Sequence, residues 1–239
     1  MRVAVYVEGI TEAGFVYRLI GEKYQWNWLS FRVECLNLDP QNACDDLRDY
    51  GDENAPDFFL IYDSQSDTSV ISDIRERFSG HKEHGFDKVV GLRDVFSESY
   101  IELYGRNLNQ KNIDEFIKDI REPFDELDES GFVSICFAIM ETEAWLLAMS
   151  ETFSKINSKL DSKWLKEKAN VDVLKDPQTT YFHPFDCLES IYISVGRTYS
   201  KHWREIKEIV FKLTWADFEK LYVSGKCKSF KFFFDTIFN

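Results

Sequence analysis

Four short apolar stretches in the first 141 residues each run into a carboxylate. RVAVYV (Arg2–Val7) leads into Glu8, DFFLIYD ends on Asp63, DKVVGLRD ends on Asp94, and FVSICFAIME ends on Glu141. RVAVYV is rich in β-branched and aromatic residues without polar alternation, the pattern of a strand buried on both faces. FRVECLNL (residues 31–38) adds a strand of period-two character, broken at Asp39-Pro40 and followed by a short acidic helix near residues 42–50. Helical spacing predicts helices over residues 12–24, capped by Thr11, over 69–79 and over 113–127. Strands alternating with helices of about 10–15 residues predict an α/β fold, a mostly parallel sheet flanked by helices.

From Glu143 onward the pattern turns helical. We therefore expect a catalytic α/β domain over residues 1–150 and a helical C-terminal extension, residues 151–239, packed on it. NVDVLKDPQTTYFHPF (residues 170–185) has two prolines and few apolar repeats, and reads as an irregular loop. The apolar end SFKFFFDTIF (residues 229–238) is either a helix docked on the core or an interface. No run approaches the roughly 20 apolar residues of a membrane helix, and the first apolar segment is too short for a signal peptide. The expectation is a cytoplasmic protein without membrane contact. Five dispersed cysteines with no CxxC pair argue against a disulfide framework or a zinc site.

In an open parallel sheet, ligands bind beyond the carboxyl ends of the strands, so acids far apart in sequence converge at one edge. Glu8, Asp63, Asp94, Glu141 and the neighbouring Glu143 share that placement. Carboxylates gathered within a few ångströms repel one another unless a cation is present. Oxygen-only ligation suits Mg²⁺ or Mn²⁺, which can support phosphodiester cleavage. Glu8 is either a ligand or a general base. Asp67 either caps the helix that follows it or adds a ligand beside Asp63.

VEGITE (Val7–Glu12), VVGLRDV (Val89–Val95), CFAIMETEAWLLA (Cys136–Ala148) and TYSK (Thr198–Lys201) carry a further signal. VEGITE resembles the opening motif of Toprim domains, where a strand-end Glu precedes a helix. The other blocks resemble the Toprim-like family catalogued as domain of unknown function 4276. That family has an Arg-Asp strand end, a Glu-x-Glu-Ala/Ser-Trp segment and a late Tyr-x-Lys. The resemblance implies a Toprim-like fold and a metal-dependent nuclease of bacterial anti-phage defence, often working with an ABC- or SMC-type ATPase. Toprim enzymes typically carry Asp-x-Asp at a strand end, whereas here Phe96 holds the second position. Strand count then points to Asp63 as the counterpart of the first Asp, and motif similarity to Asp94. A non-catalytic Toprim-like subunit that docks on the ATPase is the alternative.

Charge divides the chain. Residues 1–150 carry 14 basic and 30 acidic side chains, a balance of −16, against 15 and 12, or +3, for residues 151–239. The basic end suits an anionic partner, DNA or RNA, through Lys201, Arg197 and Arg204. Its competing reading is a solvated helix face, because Trp203, Ile206, Val210 and Leu213 fall at helical spacing and acids dilute the patch.

Overall fold

The computed structural model describes residues 1–35, 47, 49–51, 55–125 and 131–239. The break expected at Asp39-Pro40 and most of the short helix near residues 42–50 lie outside them. Strands β1 (Arg2–Val7), β2 (Leu29–Cys35), β3 (Asp57–Asp63), β4 (Lys88–Asp94) and β5 (Val133–Ala138) form a five-stranded parallel sheet, in the order β2-β3-β1-β4-β5. Between them run α1 (Ile10–Lys23), α2 (Asp67–Glu83), α3 (Glu98–Tyr104) and α4 (Gln110–Asp125). The remainder is helical: α5 (Glu143–Ala148), α6 (Glu151–Ile156), α7 (Ser162–Lys168), α8 (Pro177–Thr180), α9 (Pro184–Ile193), α10 (Trp203–Val210), α11 (Trp215–Val223) and α12 (Lys228–Phe238). This is the expected α/β architecture, of Rossmann-like type. No helix among the described residues is long and apolar enough to cross a membrane.

The described chain divides into two compact units, one of Met1–Arg93, Glu115–Phe137 and Phe232–Asn239, the other of Asp94–Asp114 and Ala138–Lys231. The boundary expected near residue 150 therefore falls inside the second unit. The expected extension is not one body either, because its last eight residues count with the sheet.

In the first unit, β1 is the central strand. It pairs in parallel with β3 and β4, and Val3, Ala4, Val5, Tyr6 and Val7 are fully buried. That explains its uninterrupted apolar run, whereas the alternating β2 pairs with β3 and ends the row. Helix α1 begins earlier than expected, at Ile10 with the extended Gly9 as its N-cap, and Thr11 is buried inside the first turn. The backbone closes this turn itself, Ala13 N–H donating to Gly9 O at 2.9 Å. Ser66, not Asp67, caps α2 by accepting from Ser69 N–H, and Asp67 instead pairs with Arg93 at 3.0 Å. On β4, a Cβ at Gly91 would lie 2.8 Å from Ile74 Cδ1 and 3.0 Å from Ile135 Cδ1, so a larger residue there would displace these side-chain ends. The terminal residues dock on this core. Phe238 meets Tyr24 and Phe59, and Lys88 Nζ donates to Thr236 O at 2.9 Å.

In the second unit Trp145 of α5 is fully buried. Its indole N–H donates to Ser229 Oγ, which donates to Gln178 Oε1, and its ring meets Phe230 edge-on. The segment expected to be an irregular loop contains α8 and the start of α9. Both helices place proline at their first position, where a missing N–H costs nothing. Of the four residues at helical spacing, Ile206, Val210 and Leu213 are buried, whereas Trp203 is half-buried.

Candidate metal centre

Strand β4 delivers Asp94 at its last position, 5% exposed. Asp94 Oδ1 accepts two hydrogen bonds from one residue, Thr142 N–H at 3.0 Å and Thr142 Oγ1 at 3.1 Å. Backbone pairing continues beyond the strands: Val95 N–H donates to Ala138 O at 3.0 Å and Phe96 N–H to Met140 O at 2.8 Å. Met140 then takes φ +61°, a left-handed conformation that costs a non-glycine residue of order 1–3 kcal/mol. This turn ends the strand three residues before the expected Glu141. Glu143 opens α5, where the helix dipole favours an acid.

Asp94, Glu141 and Glu143 each offer a carboxylate oxygen within 4.8 Å of the others, and Glu141 and Glu143 are 2% and 0% exposed. The second unit supplies partners from its later segments. Lys201 Nζ lies 3.1 Å from Glu141 Oε1 and 3.1 Å from Glu143 Oε1. Tyr199 OH donates to Glu143 Oε1 at 3.3 Å, and Phe185 N–H to Glu141 Oε2 at 2.8 Å. His183 places Nε2 3.4 Å from Glu141 Oε1 and Nδ1 2.8 Å from Asp186 Oδ1, while its ring stacks on Phe96 at 4.3 Å. Burial, then the neighbouring Glu143 charge, push the Glu141 carboxyl up. Lys201, the Phe185 N–H and His183 oppose that rise.

The group fits a divalent cation on two observations. Lys201 contacts both glutamates, and three buried carboxylates still lie together, where they repel one another unless a cation intervenes. Glu143 Oε2 is buried and has no hydrogen-bond partner among the described residues, a state that ordinarily costs about 1–3 kcal/mol or more for a charged group. A cation bound by the three carboxylates would satisfy both. The triad can therefore bind a divalent metal, and its all-oxygen donors suit a hard ion.

The five acids singled out in the sequence divide between the units. Asp94, Glu141 and Glu143 come together, so Asp94 is the aspartate that joins the two glutamates, and both glutamates take part. Glu8 and Asp63 belong to the sheet unit and are not members of the triad. Asp63 lies opposite Val7 in the β1–β3 register, and Ser64 N–H donates to Val7 O at 2.9 Å, so Glu8 and Asp63 sit at neighbouring strand ends. Burial raises the Asp63 carboxyl to about 6, against a hydrogen bond from Gln65 N–H.

Of the basic residues, Lys201 contacts the acids, Arg197 grips Glu208 with both terminal nitrogens, and Arg204 is exposed. His183, Tyr199 and Thr142 were not singled out as site residues from the sequence. For His183 and Thr142 the signal is backbone geometry alone; for Tyr199 it is the Tyr-x-Lys spacing. The chain matches no protein-family model, no curated protein and no solved structure.

Proposed function

We propose that this protein is a Mg²⁺- or Mn²⁺-dependent nuclease that hydrolyses phosphodiester bonds of DNA or RNA, with Asp94, Glu141 and Glu143 as the metal ligands. The observation that carries the reading is the buried, unpartnered Glu143 Oε2 inside a three-carboxylate group. Thr142 fixes one aspartate oxygen, and Phe185 N–H fixes one oxygen of Glu141, so two of the three ligands are preorganised. When bound, the metal supplies Lewis-acid stabilisation of charge on the phosphoryl group and lowers the pKa of water. Lys201 Nζ, already at the glutamates, is placed to donate to a phosphate oxygen that arrives beside them. The resemblance of Arg93-Asp94, Glu141-x-Glu143-Ala144-Trp145 and Tyr199-x-Lys201 to Toprim-like proteins supports the same reading.

A specific observation favours a second reading, a non-catalytic subunit that docks on an ABC- or SMC-type ATPase. Lys201 gives the glutamates an internal counter-charge, which can stand in for a metal ion. Calorimetric titration of Mg²⁺ and Mn²⁺ into the wild type and Glu143→Gln, with hydrolysis of labelled DNA and RNA, separates them. The nuclease reading requires metal binding that Glu143→Gln abolishes and hydrolysis that follows it. A wild type that binds no metal at millimolar concentration leaves the second reading.

A further inference from the structure

Beside the triad, the second unit holds a recess of about 300 Å³ lined by Phe96, Tyr181, Phe182, His183 and Arg106, among others. Its aromatic rings are only half-buried, in a unit that buries Trp145, Tyr192 and Tyr199 almost completely. Phe96 and His183 form a stacked pair, with centroids 4.3 Å apart and planes 14° from parallel, and Phe182 meets Phe96 edge-on at 5.5 Å. Arg106 at the rim is exposed and makes no ion pair among the described residues.

The recess and the metal centre share a wall. His183 lines the recess and reaches Glu141 Oε1, and two residues on, Phe185 N–H holds Glu141 Oε2. A group whose phosphate sits at the carboxylates can therefore direct its neighbouring atoms toward these rings. In a nucleotide, the neighbouring planar group is the base. Aromatic faces stack on unpaired bases without sequence preference, whereas a base inside a duplex must first leave its stack.

We propose that this recess is a base-stacking subsite that receives an unpaired nucleobase next to the scissile phosphate, so that the substrate is single-stranded nucleic acid. Phe182 supplies the stacking surface, and Arg106 contacts the adjoining phosphate. This rests on the nuclease reading for the position of the phosphate, but base stacking is measurable without cleavage.

The test is equilibrium binding of a short single-stranded oligonucleotide carrying one 2-aminopurine, whose emission is quenched by stacking, with Ca²⁺ replacing Mg²⁺. Quenching is expected with the wild type and Phe182→Tyr. In Phe182→Ala the quenching is lost and affinity falls about 5- to 150-fold, while calorimetric Mn²⁺ affinity stays unchanged. A duplex with the probe base-paired should show neither quenching nor dependence on Phe182. The subsite is overturned if Phe182→Ala weakens single strand and duplex equally, if the wild type binds without quenching, or if it does not bind. Hydrolysis of duplex by the wild type alongside such a result would leave the nuclease reading standing. Loss of Mn²⁺ binding and of hydrolysis in the wild type would remove that reading as well.

Discussion

Lys201 and Glu143 are joined through one oxygen only: the ammonium is 3.1 Å from Glu143 Oε1, while Glu143 Oε2 is buried with no hydrogen-bond partner among the described residues. A salt bridge thus leaves half of the carboxylate unsatisfied, inside a group of three acids. That second oxygen is the one a further cation could take.

If ammonium and metal share these oxygens, Lys201→Met should destabilise the metal-free protein by about 1–3 kcal/mol, since two buried glutamates lose a partly exposed partner. Divalent cation should then raise the melting temperature more in the variant than in the wild type. Thermal unfolding with and without Mn²⁺ measures both. An equal metal effect in the two proteins would show that the ammonium and the ion do not compete.

Glu143→Gln removes a charge from the cluster and gives the carboxylates a donor. The metal-free variant should be as stable as the wild type or about 1 kcal/mol more stable, because repulsion among the acids is relieved. Stabilisation by Mn²⁺ should disappear. Urea unfolding, with and without the ion, reads both effects, and a variant still stabilised by metal would move the ligand role elsewhere.

Asp63 carries a pH signature. Its folded-state value of about 6 lies above the ordinary 3.8, so the folded protein binds this proton more readily than the unfolded chain does. The contribution is fully present below about pH 4 and is lost as pH rises to about 6. Asp63→Asn should therefore gain up to about 3 kcal/mol at pH 7 and nothing at pH 4. Urea midpoints at the two pH values decide it, and a gain independent of pH would place the cause outside this carboxyl.

Trp145 tests how α5 is held in place. Trp145→Ala should cost about 3–5 kcal/mol through the cavity and the orphaned Ser229–Gln178 pair. Trp145→Phe keeps most of the packing and should cost less, with metal affinity nearly retained. A large loss of affinity in a well-folded Trp145→Phe would show that the indole hydrogen bond, not bulk, sets the position of Glu143.

The sheet was readable because burial on both faces forces an unbroken apolar run, as in Val3–Val7, and because an acid marks the carboxyl ends of β1, β3 and β4. Strand order was not readable, since register arises between segments far apart in sequence. Which acids meet was legible only in part. Asp94 follows from its strand end, but Glu141 and Glu143 both lie beyond the end of β5, after the left-handed turn at Met140, and methionine carries no signature for that turn. The Glu141 partner Phe185 acts through its backbone N–H, which every residue but proline offers. Asp176-Pro177 and His183-Pro184 were visible start signals for α8 and α9. Helical spacing does mark residues 187–194, most of α9, but α8, four residues long, is too short for periodicity to emerge and reads as loop.

The sheet unit draws Phe232–Asn239 into its core, after the whole of the second unit has been spelled out in the chain. In chain order β1 and β3 come long before Phe238, one of the two aromatic residues that meet Phe59. Residues 139–231 separate β5 from that segment, so the Phe59–Phe238 contact joins parts of the unit far apart in the chain. A fragment cut at residue 150 would keep every strand and still lack Phe238. A fragment that stops before residue 232 therefore removes part of the sheet unit itself.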